Sequence, residues 1–236
     1  MPYQTVVESP VGQKLPEETR TGKARNPSRR GMAGMELNDI ATINWMYKDF
    51  YPYLARQILS THGRTSGRAL ELGPYAPGIS AALAKMAPDL EITVADNTPG
   101  IRPHFEDFLG KVGLLDKIRL EEADVEALPY KDGTFDLVYF RGALFFTWDP
   151  VKLLRESDRV LRPRGTALIG GGFGAEAPDE EIDGIAAEAR DLNQRLGKRV
   201  VGYKEAEAYA REAGVWERSR LDKRHGLWVV IRKDGK

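Results

Sequence analysis

Three acidic residues adjoin short apolar segments of this chain, and their spacing is typical of groups that bind a polar ligand. Glu71 stands near the end of one segment, Asp96 ends the next 25 residues later, and Asp124 lies near the end of a third. A carboxylate at Glu71 can accept a hydrogen bond from a cationic amino group, and one at Asp96 can accept from both hydroxyls of a ribose, with Asn97 beside it. Asp124 can accept from an exocyclic adenine amine while the backbone N–H of Val125 meets a ring nitrogen. The alternatives are an ion pair or a charge facing a helix for Glu71, and a turn residue or helix cap for Asp96.

The first apolar segment stops at a turn with two glycines and two prolines, and a helical pattern follows. Gly73 and Gly78 would let a ligand approach the backbone closely, although turn geometry also accounts for them. Pro74 and Pro77 have no N–H, and the glycine spacing differs from the Gly-x-Gly-x-x-Gly sequence expected for a pyrophosphate. The turn therefore favours a nucleoside ligand without phosphates, at the start of the following helix.

Apolar segments alternate with helical patterns along the chain. The predicted strands cover 69–72, 90–96, 118–125, 135–140, 164–170, 216–221 and 227–231, and the predicted helices cover about 79–86, 100–112, 179–195 and 204–212, with one more opening at Pro150. Alternation through five strands predicts a parallel α/β sheet with helices on both faces. The last two strands have no helix between them and are expected to pair as an antiparallel hairpin at one edge. Ligands of such sheets bind beyond the carboxyl ends of the strands, where the strand order reverses.

Two further segments precede the first strand. Residues 1–31 are polar and basic without any period, which predicts an N-terminal arm that is a solvated tail rather than an RNA- or phosphate-binding segment. Residues 32–66 carry apolar side chains at helical spacing, which predicts a helical cap that is interrupted near Pro52. We expect residues 67–236 to form the main domain.

The helical cap has two interpretations. Asn38 or Asp39 can cap its first helix. It is either a packing layer or a lid whose aromatic side chains, Trp45, Tyr47 and Tyr51, face the ligand.

Composition excludes several classes of function. The chain has 236 residues with Lys+Arg 35 against Asp+Glu 35, so no net field draws it to nucleic acid or to a membrane surface. It has no cysteine, which excludes thiolate metal sites and a cysteine nucleophile, and its three histidines are scattered, so no metal site is expected. No apolar run reaches the roughly 20 residues of a membrane helix. The absence of a signal-peptide core favours a cytoplasmic protein.

Four sequence motifs occur in the order found in one enzyme family. They are Ala-Leu-Glu-Leu-Gly-Pro-Tyr-Ala-Pro-Gly at 69–78, Val-Ala-Asp at 94–96, the segment 123–138, and the segment 148–165 that ends in Leu-Arg-Pro-Arg-Gly. Together they resemble the class I S-adenosylmethionine-dependent methyltransferases, in particular the subgroup with the ubiquinone/menaquinone C-methyltransferases. Each motif alone is weak, whereas four in order over about 68–172 are specific.

The resemblance implies a Rossmann-like three-layer sandwich with a seven-stranded, mostly parallel sheet, an antiparallel C-terminal hairpin and an N-terminal helical lid. It also implies S-adenosylmethionine as cofactor, with Glu71 and Gly73 at the methionine moiety, Asp96 at the ribose and Asp124 and Val125 at the adenine. Arg141, which ends the fourth predicted strand, would lie under the amino-acid end of the ligand or form an ordinary ion pair. The expected cofactor-binding set is Glu71, Gly73, Pro74, Gly78, Asp96, Asn97, Asp124, Val125, Arg141 and Gly142.

The chain departs from the family pattern at the glycine turn, where Pro74 and Pro77 leave its shape open, and at Phe145 and Phe146, which make the substrate side apolar. Aromatic rings there can stabilise a sulfonium by cation–π attraction. The expected substrate-side set is Trp45, Tyr47, Tyr51, Phe145, Phe146 and Trp148.

Methyl transfer from a sulfonium needs no protein nucleophile, and a general base is optional, with Tyr47 and His225 as the candidates. We expect a small, partly apolar acceptor and no nucleic acid partner, with a homodimer left open. The alternatives are a non-catalytic cofactor-binding or scaffold module on the same fold, and an RNA or protein methyltransferase that uses the basic arm. A nicotinamide dehydrogenase is disfavoured by the glycine turn.

Overall fold

The computed structural model describes residues 36–147 and 149–235. The predicted arm at 1–31 and Trp148 lie outside the described residues. The strands are β1 (Ser66–Leu72), β2 (Asp89–Ala95), β3 (Ile118–Glu121), β4 (Phe135–Arg141), β5 (Leu161–Gly172), β6 (Ser219–Asp222) and β7 (Gly226–Arg232). The α-helices are α1 (Leu37–Met46), α2 (Tyr51–His62), α3 (Gly78–Met86), α4 (Ile101–Lys111), α5 (Ala143–Phe146), α6 (Pro150–Arg159), α7 (Asp179–Arg195) and α8 (Tyr203–Glu212).

The seven strands form one sheet in the order β3-β2-β1-β4-β5-β7-β6. Strands β1 to β5 pair with one another in parallel, and β7 is antiparallel to both β5 and β6. The predicted parallel sheet with an antiparallel C-terminal hairpin is confirmed. The strand order reverses between β1 and β4, because β2 and β3 lie on one side of β1 while β4 and β5 lie on the other. A ligand of an open α/β sheet is expected above this reversal.

Helices cover both faces of the sheet, since successive strand residues point to opposite sides. Ala69, Leu137 and Tyr139 pack in one buried cluster with side chains of α1 to α4 and α7. Leu70 and Val138 pack in a second cluster with side chains of α5, α6 and α8. Both faces of the central strands are therefore apolar, which agrees with the nearly continuous hydrophobic runs read from the sequence.

The N-terminal helices differ from the prediction in how they begin. Helix α1 has Glu36 as its N-cap without a side-chain hydrogen bond, so neither Asn38 nor Asp39 caps it. Pro52 lies in the first turn of α2, where a missing N–H has no consequence, and it starts that helix rather than interrupting it. The break between α1 and α2 is a 3-10 turn at Lys48–Phe50.

Strands β5 and β7 approach closely where both carry glycine. A Cβ atom built on Gly170 would lie 2.1 Å from the carbonyl oxygen of Leu227 and 2.7 Å from the Cα atom of Trp228. These are backbone atoms of a paired strand, so they cannot move aside cheaply. Glycine at this position therefore holds the hairpin against the parallel part of the sheet.

We expect Gly170→Ala to lower the free energy of unfolding by at least about 1–3 kcal/mol, the usual cost of forcing extra volume into a packed interior. Gly184→Ala is the matched control, because Gly184 lies within α7 with no atom within 4 Å of a built Cβ. Alanine there should raise the free energy of unfolding by about 1 kcal/mol through helix propensity. Urea titration of both variants checks the opposite signs, and equal effects would contradict the close approach.

Candidate active site

The carboxyl ends of β1, β2 and β4 meet at one edge of the sheet, beside the reversal of strand order. Glu71 lies within β1 and Gly73 directly follows that strand. Asp96 follows β2, and Arg141 is the last residue of β4. The predicted positions of these four residues at strand ends are confirmed, and the fold brings them to the same edge.

Glu71 is held by internal hydrogen bonds at the start of α3. Its side chain is buried, and its Oε2 atom accepts from the backbone N–H of Ser80 at 3.0 Å and from the Ser80 hydroxyl at 2.5 Å. The Ser80 Oγ atom also lies 2.7 Å from the Tyr139 hydroxyl. Since Ser80 has one hydroxyl proton and donates it to Glu71, Tyr139 is the donor in the second bond. The chain Tyr139–Ser80–Glu71 thus joins β4, α3 and β1.

These contacts fit the helix-facing alternative for Glu71, because the carboxylate satisfies a free N–H in the first turn of α3. Burial raises the pKa of Glu71 from its ordinary 4.5 to about 7, against the opposing hydrogen bonds from Ser80. Ser80 and Tyr139 were not identified from the sequence. A tyrosine hydroxyl inside the apolar run of β4 was the signal available.

The glycines of the turn accommodate aromatic rings. A Cβ built on Gly73, whose φ is +93°, would lie 2.1 Å from the ring of Phe140, and one on Gly78 would lie 2.1 Å from the ring of Tyr51. A Cβ built on Gly142, whose φ is +94°, would lie 2.6 Å from the ring of Tyr75. Packing against these rings therefore requires glycine at each position, whether or not a ligand also approaches the backbone.

Asp96 lies beside a cavity of about 250 Å³ at the carboxyl end of β2. Its side chain is 6% exposed, its Oδ1 atom accepts from the backbone N–H of Thr98 at 2.7 Å, and burial raises its pKa. The cavity is lined by Asp96, Asn97, Thr98, Pro99, Gly100, Ile101, Arg102, Phe105, Leu120, Glu121 and Glu122. A buried acid that faces such a cavity is a strong acceptor for ligand hydroxyls.

Asp124 does not end the third strand, so the predicted boundary was wrong. Strand β3 ends at Glu121, because its partner β2 ends at Ala95 and the pairing stops there. Asp124 is exposed, and its Oδ1 atom accepts from the backbone N–H of Glu126 at 2.9 Å in a turn. Asp124 and Val125 therefore lie in the loop beyond the cavity lining, and their contact with adenine stays a prediction.

Arg141 is a buried cation without a complete set of partners. It is 7% exposed, and its guanidinium lies 3.7 Å from the ring centroid of Tyr47 and 5.8 Å from that of Tyr75. Its Nε atom is buried and has no hydrogen-bond partner among the described residues. A buried donor left unpaired costs about 1–3 kcal/mol, more when it is charged. An anionic ligand group in this position would remove that cost.

The aromatic candidates fall into two groups. Tyr47 is buried and stacks on Phe173 at 5.3 Å, and Phe146 lies 5.6 Å from the ring of Tyr75. Phe145 is half-buried with the ammonium of Lys198 over its ring at 4.5 Å. Trp45, in contrast, is 45% exposed and stacks under Lys48, and Trp148 lies outside the described residues. The structure therefore brings Tyr47, Tyr51 and Phe146 to the site, with the ring of Tyr51 packed over Gly78. It leaves Trp45 at the surface.

The two candidates for a general base differ in their contacts. The ring of His225 lies 3.3 Å from the carbonyl oxygen of Gly174 and 3.1 Å from a carboxylate oxygen of Asp179, in the turn between β6 and β7. Tyr47 faces the Arg141 guanidinium with its ring. Within residues 36–147 and 149–235, no group of three or more His, Cys, Asp or Glu side chains could hold a metal ion. Nor does any helix in this part of the chain combine the length and apolarity needed to span a bilayer.

The raised pKa of Glu71 predicts a pH-dependent stability. The folded state binds this proton more tightly than the unfolded state, so wild-type stability should fall as pH rises from about 4.5 to about 7. We expect Glu71→Gln to remove this loss, gaining up to about 3 kcal/mol relative to wild type between acidic and mildly alkaline pH. Denaturant unfolding across that range measures it, with Glu91→Gln on the exposed side of β2 as the control. If the free energies of unfolding of Glu71→Gln and the wild type differed by the same amount at every pH, the description of Glu71 as a buried acid would be contradicted.

Comparison with known proteins agrees with this geometry. Residues 70–169 match the family described as "Methyltransferase domain". The chain is 30% identical over 162 residues to the 27-O-demethylrifamycin SV methyltransferase of Amycolatopsis mediterranei, covering 67% of this chain and 57% of that protein. It is 35% identical over 79 residues to the ubiquinone/menaquinone biosynthesis C-methyltransferase UbiE of Idiomarina loihiensis, covering 34% of this chain and 32% of that protein. The chain thus spans 57% of the length of the first of these curated relatives and 32% of the length of the second.

A solved structure from Methanococcus maripaludis, classed as an S-adenosyl-L-methionine-dependent methyltransferase, shares the fold. It superposes with a TM-score of 0.71 at 24% identity, over 91% of this chain and 99% of that chain. The segment 70–169, which matches the family, includes the end of β1, the glycine turn, β2 and β4. These elements carry or directly precede Glu71, Asp96 and Arg141. The chain is therefore similar to methyltransferases over residues 70–169 and shares the fold of this solved structure.

Proposed function

We propose that this chain transfers a methyl group from S-adenosylmethionine to a small, partly apolar acceptor. The observation that carries the proposal is buried Asp96 beside a cavity at the carboxyl end of β2, next to the strand-order reversal. In an open α/β sheet this is the position from which an acid binds the ribose of a nucleoside. The similarity to methyltransferases supports S-adenosylmethionine as that nucleoside, and the residues present fit it.

The cofactor would lie along the sheet edge with its two ends on different strands. We assign the ribose to Asp96 with Asn97, and the adenine to the loop with Asp124 and Val125. The methionine end is assigned to the turn Gly73, Pro74 and Gly78 beside Glu71, and its carboxylate to Arg141 with Gly142. The unpaired Nε atom of Arg141 supports the last assignment, because a carboxylate is the partner that a guanidinium binds best.

When bound, S-adenosylmethionine supplies a methyl group on a positively charged sulfur, so the carbon is already electrophilic. The protein has to position the acceptor and keep water away. Tyr47 and Tyr75 are buried at this edge, and Phe146 packs on Tyr75. Their rings would stabilise the sulfonium by cation–π attraction, which is worth about 0.5–2 kcal/mol. We assign no protein nucleophile to the reaction.

The nature of the acceptor rests on the lining of the site and on the relatives. Residues 32–66 are taken as the cap and 67–236 as the cofactor-binding domain, and the cap places aromatic rings over the glycine turn. The two relatives are named for 27-O-demethylrifamycin SV and for ubiquinone/menaquinone biosynthesis. These names support a small-molecule acceptor over RNA or protein. The proposal includes acceptors that are methylated on a carbon atom and acceptors that are methylated on an oxygen atom.

We expect Asp96→Asn to weaken S-adenosylmethionine binding by about 10- to 100-fold, because a hydrogen bond to a charged group contributes about 1.5–3 kcal/mol. Isothermal titration calorimetry measures the dissociation constant. Asp107→Asn is the matched control, since Asp107 lies on the exposed side of α4 with Lys111 as its partner. Equal affinities for the wild type and Asp96→Asn would remove the ribose assignment. Binding of S-adenosylmethionine without formation of S-adenosylhomocysteine across quinol and phenol acceptors would favour the non-catalytic module.

A further inference from the structure

Lys198 places a positive charge over the ring of Phe145, four residues after Arg141 in the chain, at a position that no sequence motif indicated. It lies in the connection between α7 and α8, and its ammonium stands 4.5 Å from the ring centroid of Phe145. No carboxylate among the described residues forms an ion pair with Lys198 or with Arg141. The two cations therefore share an edge of the sheet without a neutralising partner in the described chain.

Backbone contacts hold Lys198 at the sheet edge. Its own N–H donates to the carbonyl of Asn193 at 2.9 Å, which ends α7 in a tight turn. The next residue, Arg199, donates its N–H to the carbonyl of Phe145 at 3.1 Å and its guanidinium to the carbonyl of Thr147 at 2.5 Å. The connection is thereby fastened to α5, which directly follows β4 and Gly142. The position of Lys198 is set by these bonds rather than by a freely moving loop.

The charges at this edge are unbalanced. Burial lowers the pKa of Lys198 to about 8, with repulsion from Arg141 adding to the shift. Glu71 is an acid coupled to Arg141, and its carboxylate is already hydrogen-bonded to Ser80. Two cations that repel each other are stabilised by an anion that lies between them or beside each.

The cofactor cannot balance both cations. S-adenosylmethionine has one carboxylate, which the proposed function assigns to Arg141, and it also carries an ammonium and a sulfonium. Binding it therefore adds one net positive charge to the edge. Lys198 is left facing the side on which Phe145 provides an apolar wall. A negatively charged group on the acceptor would be the missing partner.

We propose that Lys198 binds an oxyanion of the methyl acceptor, so that the substrate is a small molecule with an apolar body against Phe145 and a carboxylate or ionised hydroxyl at the Lys198 ammonium. This proposal rests on the proposed function for the identity of the site. An ionised hydroxyl held in this way is itself the nucleophile. Its electron pair forms the O–CH3 bond, the pair of the S–CH3 bond goes to sulfur, and no proton has to be removed. Such an acceptor would need no general base.

The test uses benzoate, its neutral isostere benzamide, and 4-nitrophenol, whose absorption spectrum reports its ionisation. Each is titrated into the full chain with S-adenosylhomocysteine bound, followed by ligand-observed NMR or absorbance. Lys198→Met removes the charge at similar length, and Lys198→Arg retains it. Lys204→Met is the matched control, because Lys204 is exposed on α8.

We expect Lys198→Met to weaken benzoate binding by about tenfold or more, or to abolish the increased ionisation of bound 4-nitrophenol. Benzamide binding should stay unchanged, and Lys198→Arg and Lys204→Met should behave like the wild type. An effect on benzoate alone identifies a carboxylate acceptor, and an effect on 4-nitrophenol identifies an ionised hydroxyl. Either outcome supports the proposal.

Two results would overturn it. One is equal anion binding by the wild type and Lys198→Met, or no anion binding by the wild type at all. The other is a loss of S-adenosylhomocysteine affinity in Lys198→Met, which would assign Lys198 to the cofactor. Affinity for S-adenosylhomocysteine and the melting temperature are measured first for every variant. If the wild type fails to bind S-adenosylhomocysteine, the proposed function fails, and the anion titrations on the free protein still decide the role of Lys198.

Discussion

The buried hydrogen bonds from Tyr139 to Ser80 and from Ser80 to Glu71 hold together the three elements that border the strand-order reversal. They join β4, α3 and β1, and the Glu71 carboxylate also accepts a separate bond from the backbone N–H of Ser80 in the first turn of α3. A buried carboxylate is costly unless such partners surround it. The network therefore allows an acid to exist in this interior, and in return the acid defines the path of the glycine turn. Every other feature of the site is placed relative to that turn.

The turn and the cap fit each other through space that glycine leaves free. The ring of Tyr51 from α2 occupies the position where a side chain on Gly78 would stand, and the ring of Tyr75 does the same at Gly142. The ring of Tyr47 stacks on the Arg141 guanidinium. These contacts close the site with aromatic rings, which keeps water away from the charged groups inside. Electrostatic interactions are stronger in such surroundings than in solvent.

The charges along the edge are arranged by sign. Asp96 stands at the β2 end beside its cavity, whereas Arg141 and Lys198 stand at the β4 end beside Phe145. A ligand that is neutral and rich in hydroxyl groups at one end and anionic at the other matches this order. The cofactor proposed above offers ribose hydroxyls for the first end and a carboxylate for the second, but its ammonium and sulfonium leave excess positive charge at the β4 end, which leads to the proposal of an anionic acceptor.

Much of the fold follows from local patterns that the sequence shows directly. Apolar runs and helical periods predicted α7 within its observed bounds, and the short distance between the last two strands predicted their antiparallel pairing. The order of four motifs indicated the family, and strand ends indicated Glu71, Asp96 and Arg141. These features depend on residues close together in the chain, so periodicity, turn residues and spacing are enough to reveal them.

Other features depend on which distant segments meet, and no local pattern carries that information. The end of β3, and with it the exposure of Asp124, was decided by the length of its partner β2. The need for glycine at 78 was decided by the ring of Tyr51 on another helix. Lys198 is 57 residues from Arg141 in the chain, and only the bonds between Arg199 and α5 bring its charge to the site. Sequence patterns predicted most of the strands and helices and the acids at the ends of β1 and β2, whereas the end of β3, burial, charge balance and the partners of each side chain came from packing between segments far apart in sequence.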